Sequence, residues 1–291
     1  MVFRKVITAA LAVGVMCVLP SCSDPSAPSE KTTEMPVSSD ISAEMTTASA
    51  PIASVRVTIG ENQRIDDIVA LLTASGLGST EKYIDLLQNH DFGFRFEEKL
   101  KECSLSPDRK YLLEGYLLPG DYSFPANADE QTVLSEILSR FDSFFTDSCY
   151  DRAAELGLNM DEVITLASVV EIETADNRDC SMTASVFLNR LKSPDFPKLQ
   201  SDRTVLYVLD GFTRSATNED VRVDSPYNTY MYKGLMPSAV CNPTTEAIEG
   251  VLFADSSDYY YFINRHDGRN EYASTYAEHK ANYKRYLNGE L

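Results

Sequence analysis

An apolar run that ends in two acids constrains this 291-residue chain more than any other stretch: Leu166-Ala-Ser-Val-Val-Glu171-Ile-Glu173-Thr174. Its spacing predicts a helix over about 161–174. Helix residues three and four apart share a face, so Val163, Leu166, Ala167, Val170 and Glu173 form an apolar stripe that Glu173 terminates. Glu171 continues Ile164, Ala167 and Ser168, a smaller and more polar strip. Two positions along a helix turn by about 200°, so the two carboxylates cannot jointly flank one bond. A carboxyl against apolar surface keeps its proton more tightly, because its charged form loses hydration. Such a group can donate near neutral pH, as a general acid does. Glu173 is the favoured candidate and Glu171 the fallback. On composition alone the plainer interpretation is stronger: both are the solvated end of a helix.

The N-terminus suggests an address. Arg4 and Lys5 precede an apolar run from Val6 to Leu19. Spanning a bilayer takes ~20 apolar residues, so the run reads as the core of a secretory signal. Leu19-Pro20-Ser21-Cys22 resembles a bacterial lipobox. Residues 1–21 are therefore expected to be a lipoprotein signal peptide and Cys22 the lipid-modified residue. The alternative is an ordinary signal peptide cut nearby. Residues 22–53 are rich in Ser, Thr, Pro, Ala and Glu and nearly free of large apolar side chains. Such a segment cannot form a core and serves as a tether. The expected location is the cell membrane, with a lipid anchor in the bilayer and the folded part on the extracytoplasmic face.

The formal charge is −18, and cleavage before Cys22 would make it −20. That surface repels nucleic acid and anionic headgroups. A polymer bound here must be gripped by local hydrogen bonds and ring faces; with 16 tyrosines and no tryptophan, Tyr supplies most of those faces. Cys103, Cys149, Cys180 and Cys241 lie far apart without a CxxC pair, and His90, His266 and His279 are scattered. No metal site and no cofactor is expected. An exported chain permits disulfides, but four cysteines allow three pairings that sequence cannot separate.

Residues 55–59 alternate as a strand. Apolar spacing predicts helices at 64–75, from Ser79 or Thr80 to Leu87, at 130–145, 180–192, 203–209, 244–254 and 275–287. Residues 112–124 read as a strand-and-turn connection. Tyr259 to Asn264 is a strand, His266-Asp-Gly268 a turn and Asn270 to Ala273 its partner. Residues 211–243 look irregular. The mixture is α+β, divided into a small module at 54–109 and a mixed α+β catalytic domain at 110–291.

Polar groups cluster downstream of the two glutamates. Gln200 and Asp202 can orient a sugar or the acid, or simply cap a loop. Tyr227 and Asn228 can stack on and hydrogen-bond an N-acetyl sugar, or build a turn. Asn242 before Pro243 shapes a turn more readily than it binds glycan. Asn189 and Arg190 end a helix, where local capping is the simpler role. Together these residues point to an enzyme that cuts glycosidic bonds.

Several ordered stretches resemble the endolytic murein transglycosylases, the YceG-like or MltG-type family. They are Leu113-Glu-Gly-Tyr-Leu-Leu-Pro119, Leu166 to Thr174, Ala184-Ser-Val-Phe-Leu-Asn-Arg-Leu191, Leu199-Gln-Ser-Asp202 and Tyr227-Asn-Thr-Tyr230. Lys233-Gly-Leu235, Cys241-Asn-Pro243, Tyr259 to Phe262 and Glu278-His279 follow in order. The resemblance implies a LysM-like module at 54–109. It also implies a catalytic Glu at the position followed by Thr, hence Glu173. Glu173-Thr174 is similar to the Glu-Ser pair of lysozyme-like transglycosylases. The implied reaction cleaves MurNAc–GlcNAc β-1,4 bonds inside peptidoglycan strands without water and leaves 1,6-anhydro ends. Wall-synthesis enzymes are the implied partners.

The chain departs from the family pattern at Gly120, Arg203 and Met236, and Asn270 stands where a His is common. Two rivals stay open: a lipoprotein that binds peptidoglycan without cutting it, and a lysozyme-type hydrolase. A serine acyl-enzyme fits poorly, since there is no G-x-S-x-G and Ser79-Thr-Glu-Lys82 looks like a helix cap.

Overall fold

A helix that is apolar all round has to sit inside its domain, and the helix carrying the two glutamates does so. The structure, a computed structural model, describes residues 53–286 apart from 176 and 210. The expected signal peptide, Cys22 and nearly all of the tether lie outside the described residues. The described residues form one compact unit.

Strand β1 (Ser54–Ile59) leads to α1 (Ile65–Ala74), α2 (Thr80–Asn89) and α3 (Arg95–Glu102). Strand β2 (Gly120–Pro125) follows, then α4 (Glu130–Phe144), α5 (Asp147–Leu156), α6 (Met160–Glu173) and α7 (Cys180–Lys192). After α8 (Asp202–Leu209), residues 211–243 hold only short 3-10 turns, as expected. The chain then forms α9 (Thr245–Leu252), the hairpin β3 (Tyr261–Asn264) and β4 (Asn270–Ala273), and α10 (Tyr276–Tyr286). The class is α+β.

Two helices, α3 and α5, have no counterpart among the sequence expectations. In α3 only Phe96 and Leu100 are buried apolar residues, too few to make a periodic signal. The helix starts because the Glu97 carboxylate accepts the Phe94 N–H. In α5 the stop is Gly157 at φ +77°, a left-handed cap that an L side chain resists.

Strand β1 pairs antiparallel with β2, placing Val57 opposite Tyr122 and Val55 opposite Phe124. One partner therefore lies on each side of the expected boundary at 109/110. Helix α4 begins where Asp129 accepts the Thr132 N–H at 2.8 Å. It buries Val133, Leu134, Ile137, Leu138 and Phe141 along one face. Helix α6 is capped by Asn159 and Glu162 and packs on α9 and α7. Every residue from Val163 to Glu171 is buried. The close approach of α7 to α9 requires Gly250, where a Cβ would come within 2.7 Å of the Cys180 Cβ. Cys103, Cys149, Cys180 and Cys241 are all free thiols.

Asn242 links the two expected parts from a fully buried position. Its Oδ1 accepts the Leu117 N–H at 2.7 Å and the Gly115 N–H at 3.1 Å. Its Nδ2 donates to the Gln63 carbonyl at 3.0 Å and to Glu114 Oε1 at 3.1 Å. Glu114 also accepts the first N–H of α1, from Ile65, at 3.0 Å and the Tyr207 hydroxyl of α8 at 2.9 Å. Asn242 is thus an interior clamp and not a glycan contact. Truncating it would strand several buried donors and acceptors. Asn242→Ala is expected to cost about 3–5 kcal/mol and to lower the thermal midpoint by roughly 10 °C or more, measured by calorimetry.

Candidate active site

The C-terminus of α6 opens into a cleft of about 440 Å³, with Glu173 on its lining. The two glutamates of α6 have different surroundings. Glu171 is 4% exposed and turns inward. Its Oε2 accepts the Thr244 hydroxyl at 2.7 Å and the Thr244 N–H at 3.1 Å, tying α6 to the start of α9. Neither glutamate is a freely solvated helix end. The strip that looked more polar is as buried as the apolar one, because α9 and α7 cover it.

Glu173 faces the cleft. Ser201 donates its hydroxyl to Glu173 Oε1 at 2.6 Å. Burial pushes the Glu173 carboxyl up to about 7. The Ser201 hydrogen bond and the Arg203 and Arg190 charges pull it down, whereas Asp202 adds to the rise. The carboxyl is therefore poised between donor and acceptor near neutral pH.

The backbone at Glu173 is fixed as well. Helix ends leave carbonyls without partners. Here the Glu173 carbonyl accepts Asn264 Nδ2 at 2.8 Å and Asn270 Nδ2 at 3.2 Å from the terminal hairpin. Asn270 also donates to Thr183 Oγ1 at 3.0 Å. The family departure at Asn270 thus falls on the support under the acid. The departure at Gly120 lies in β2 and off the cleft lining, whereas Arg203 is on that lining.

Gln200 and Asp202 reach the cleft as expected. Gln200 has φ +56°, a left-handed conformation unusual for a residue with a Cβ. Asp202 Oδ1 accepts the Tyr230 hydroxyl at 2.7 Å. Tyr227 and Asn228 are not brought there. Tyr227 is buried, with its hydroxyl 2.7 Å from Ser238 Oγ and taking the Lys110 N–H at 3.2 Å. Asn228 is buried and donates to the Val221 and Val223 carbonyls. These two residues hold the 221–230 loop, and Tyr230, from the same motif, is the one that enters the site.

Sequence reasoning passed over Ser201 and gave Arg190 only a capping role. Ser201 lies between two chosen residues and immediately before α8, which is the signal that could have found it. Arg190 is 7% exposed and lines the cleft. Its Nε donates to the Tyr260 carbonyl at 2.8 Å, and Nη1 donates to the Leu199 carbonyl. It makes no ion pair within 4.0 Å among the described residues, so its charge is left to act on the cleft.

A second carboxyl, Glu114, is also pushed up to about 7 by burial. It is fully enclosed and its hydrogen bonds are spent on the clamp, so no substrate can meet it. A larger groove of about 760 Å³ borders Cys103, Tyr150 and Met236, but its Asp161 is tied to Arg109 and Tyr116. Among the described residues no group of three or more His, Cys, Asp or Glu could hold a metal ion.

A carboxyl pushed up to about 7 on the lining of an open groove is suited to acid–base chemistry. The chain belongs to the YceG-like family, which it matches over residues 32–285. It is 28% identical over 251 residues to an endolytic murein transglycosylase of Bacillus subtilis, covering 84% of this chain and 68% of that one. A Streptococcus pneumoniae protein of the same name is 35% identical over 188 residues, 62% of this chain and 34% of its own. This chain thus spans about a third of the pneumococcal relative. The crystal structure of a YceG-like protein from Listeria monocytogenes is similar, with a TM-score of 0.68 at 29% identity, covering 78% of this chain and 75% of that one.

Two substitutions separate the glutamates and their partners. Ser201→Ala removes a bond to the charged form, so the Glu173 pKa rises and the alkaline limb of kcat/KM moves to higher pH. Glu171→Gln is expected to lose about 1–3 kcal/mol of stability while turnover stays within a few-fold of wild type, measured by thermal melts and wall-fragment release.

Proposed function

We propose that this protein is a peptidoglycan lytic transglycosylase cutting MurNAc–GlcNAc β-1,4 bonds within glycan strands, with Glu173 acting first as acid and then as base. The observation that carries this is one partly shielded carboxyl on an open cleft, held by Ser201 and protonated near neutrality. The family match and the names of the curated relatives support the reaction class.

The chemistry needs one proton shuttle. Glu173 gives its proton to the glycosidic oxygen, the bond from that oxygen to MurNAc C1 breaks, and the GlcNAc side leaves with a hydroxyl. The MurNAc 6-hydroxyl then attacks C1, and its proton goes to the Glu173 carboxylate. A 1,6-anhydro ring closes, Glu173 is again protonated, and no water is consumed. Ordinary glycosidases need two carboxyls because water or the enzyme supplies the nucleophile. Here the substrate supplies it. Arg190 and Arg203 favour the carboxylate that must form midway. Ser201 holds Oε1, and the hairpin amides hold the backbone beneath.

The presence of Asp202 in the same cleft favours a lysozyme-type hydrolase as the second reading. The test is product mass. Purified wall incubated with the enzyme should yield anhydro ends one water lighter than reducing ends, and Asp202→Asn should keep that product. Glu173→Gln should reduce release by at least 10²-fold. Reducing ends, or fragments still released by Glu173→Gln, would sink the proposal.

The sequence also supports a place for the enzyme. We propose a lipid on Cys22 holding it at the extracytoplasmic face of the cell membrane, where it would trim nascent strands beside wall-synthesis enzymes. No helix among the described residues is long and apolar enough to cross a membrane. The reading of the first part as LysM-like rests on sequence resemblance.

A further inference from the structure

The cleft lining holds two chemically unlike groups of side chains. One is Gln200, Asp202 and Arg203, from the start of α8 and the residues before it. The other is Tyr261 of β3 with Tyr276 and His279 of α10. The three rings form one cluster. Tyr261 and His279 stack with centroids 5.2 Å apart and planes 26° apart. Tyr276 lies 6.0 Å from Tyr261 and 6.1 Å from His279.

This cluster is poorly explained as packing. No residue of α10 is buried, and Tyr276, on the cleft lining, is 59% exposed. The Tyr261 and Tyr276 hydroxyls have no hydrogen-bond partner among the described residues. Exposed rings lose free energy to water unless something covers them. Lys280 Nζ lies 4.9 Å from the centre of the Tyr276 ring, and the Arg190 guanidinium carbon lies 6.0 Å from that of Tyr261. Burial, helped by the Arg190 charge, holds the His279 imidazole below its usual range.

A pyranose ring has an apolar face of C–H groups and a rim of hydroxyls. It therefore suits a cleft whose lining offers both ring faces and amide, carboxylate and guanidinium groups. Resting on the transglycosylase reading, we propose that Tyr261, Tyr276 and His279 form a stacking wall that holds a sugar of the glycan strand beside the bond that Glu173 cleaves. The wall would fix which face of the strand meets the acid, and would turn the acetamido and hydroxyl groups toward Gln200, Asp202 and Arg203. Because the chain as a whole carries a charge of −18, ring contact supplies grip that long-range attraction does not.

The test separates this wall from the chemistry. Binding of a peptide-free octasaccharide of alternating GlcNAc and MurNAc is measured by calorimetry in the full chain bearing Glu173→Gln. Adding Tyr276→Ala or His279→Ala should weaken binding about 3- to 10-fold each. Tyr276→Phe keeps the ring and should stay within about twofold of the parent. Tyr283→Ala, on the same helix but off the cleft lining, should match the parent. In the active background the Tyr276→Ala loss should fall mainly on KM. Thermal melts confirm that each variant is folded. Parental affinity in folded Tyr276→Ala and His279→Ala overturns the wall, as does a parent that does not bind the octasaccharide. Absence of anhydro products from wild type would remove the reaction instead, while the binding comparison would still decide the wall.

Discussion

A helix enclosed on every side must find partners for the polar groups it carries, and α6 does so at Ser168 and Glu171 while leaving the Glu173 carboxyl partly open. Ser168 donates to the Thr165 carbonyl and accepts the Val240 N–H. Glu171 accepts two hydrogen bonds from Thr244. Glu173, two residues on, has one donor from Ser201 and an open side. Burial raises the cost of its charge, and incomplete hydrogen bonding leaves that cost uncompensated. The enclosure of α6 thus both builds the core and sets the protonation of the site.

The site is assembled from elements far apart in sequence, so their relative placement needs its own fastening. Helix α8 is tied at both ends. At its start, Thr204 and Thr229 hold the Ser201 backbone. Near its end, Tyr207 reaches Glu114, which also takes the first N–H of α1. Asn242 joins Glu114 to the backbone at Gln63, Gly115 and Leu117. A chain of buried hydrogen bonds therefore runs from the first helix to the residue that holds the acid. Each link is costly to break because no water can replace it.

The terminal hairpin has a double role. Its asparagines satisfy the carbonyl at the end of α6, and its Tyr261 forms part of one side of the cleft. Arg190 fastens the hairpin approach to the loop before α8 through the Tyr260 and Leu199 carbonyls. These bonds hold the residues on either side of α6's end in fixed relation to Glu173.

Local pattern alone placed α4, α6, α7 and the β3–β4 hairpin to within a residue or two, since apolar period and capping chemistry are carried by neighbours in the chain. It also marked the end of α6 as a place where acids meet apolar surface, and so named both glutamates. It could not say which was spoken for, because Thr244 is 73 residues away from Glu171 and Ser201 28 from Glu173. The stripe picture assumed one buried face, and three-dimensional packing buried them all. Tyr227 and Asn228 could be read as sugar contacts or as turn residues, and Asn242 more readily as a turn residue, because polar and aromatic groups have the same chemistry in a turn as in a groove. Only the fold decides which of them meets solvent, since burial and partner choice are properties of contacts distant in sequence.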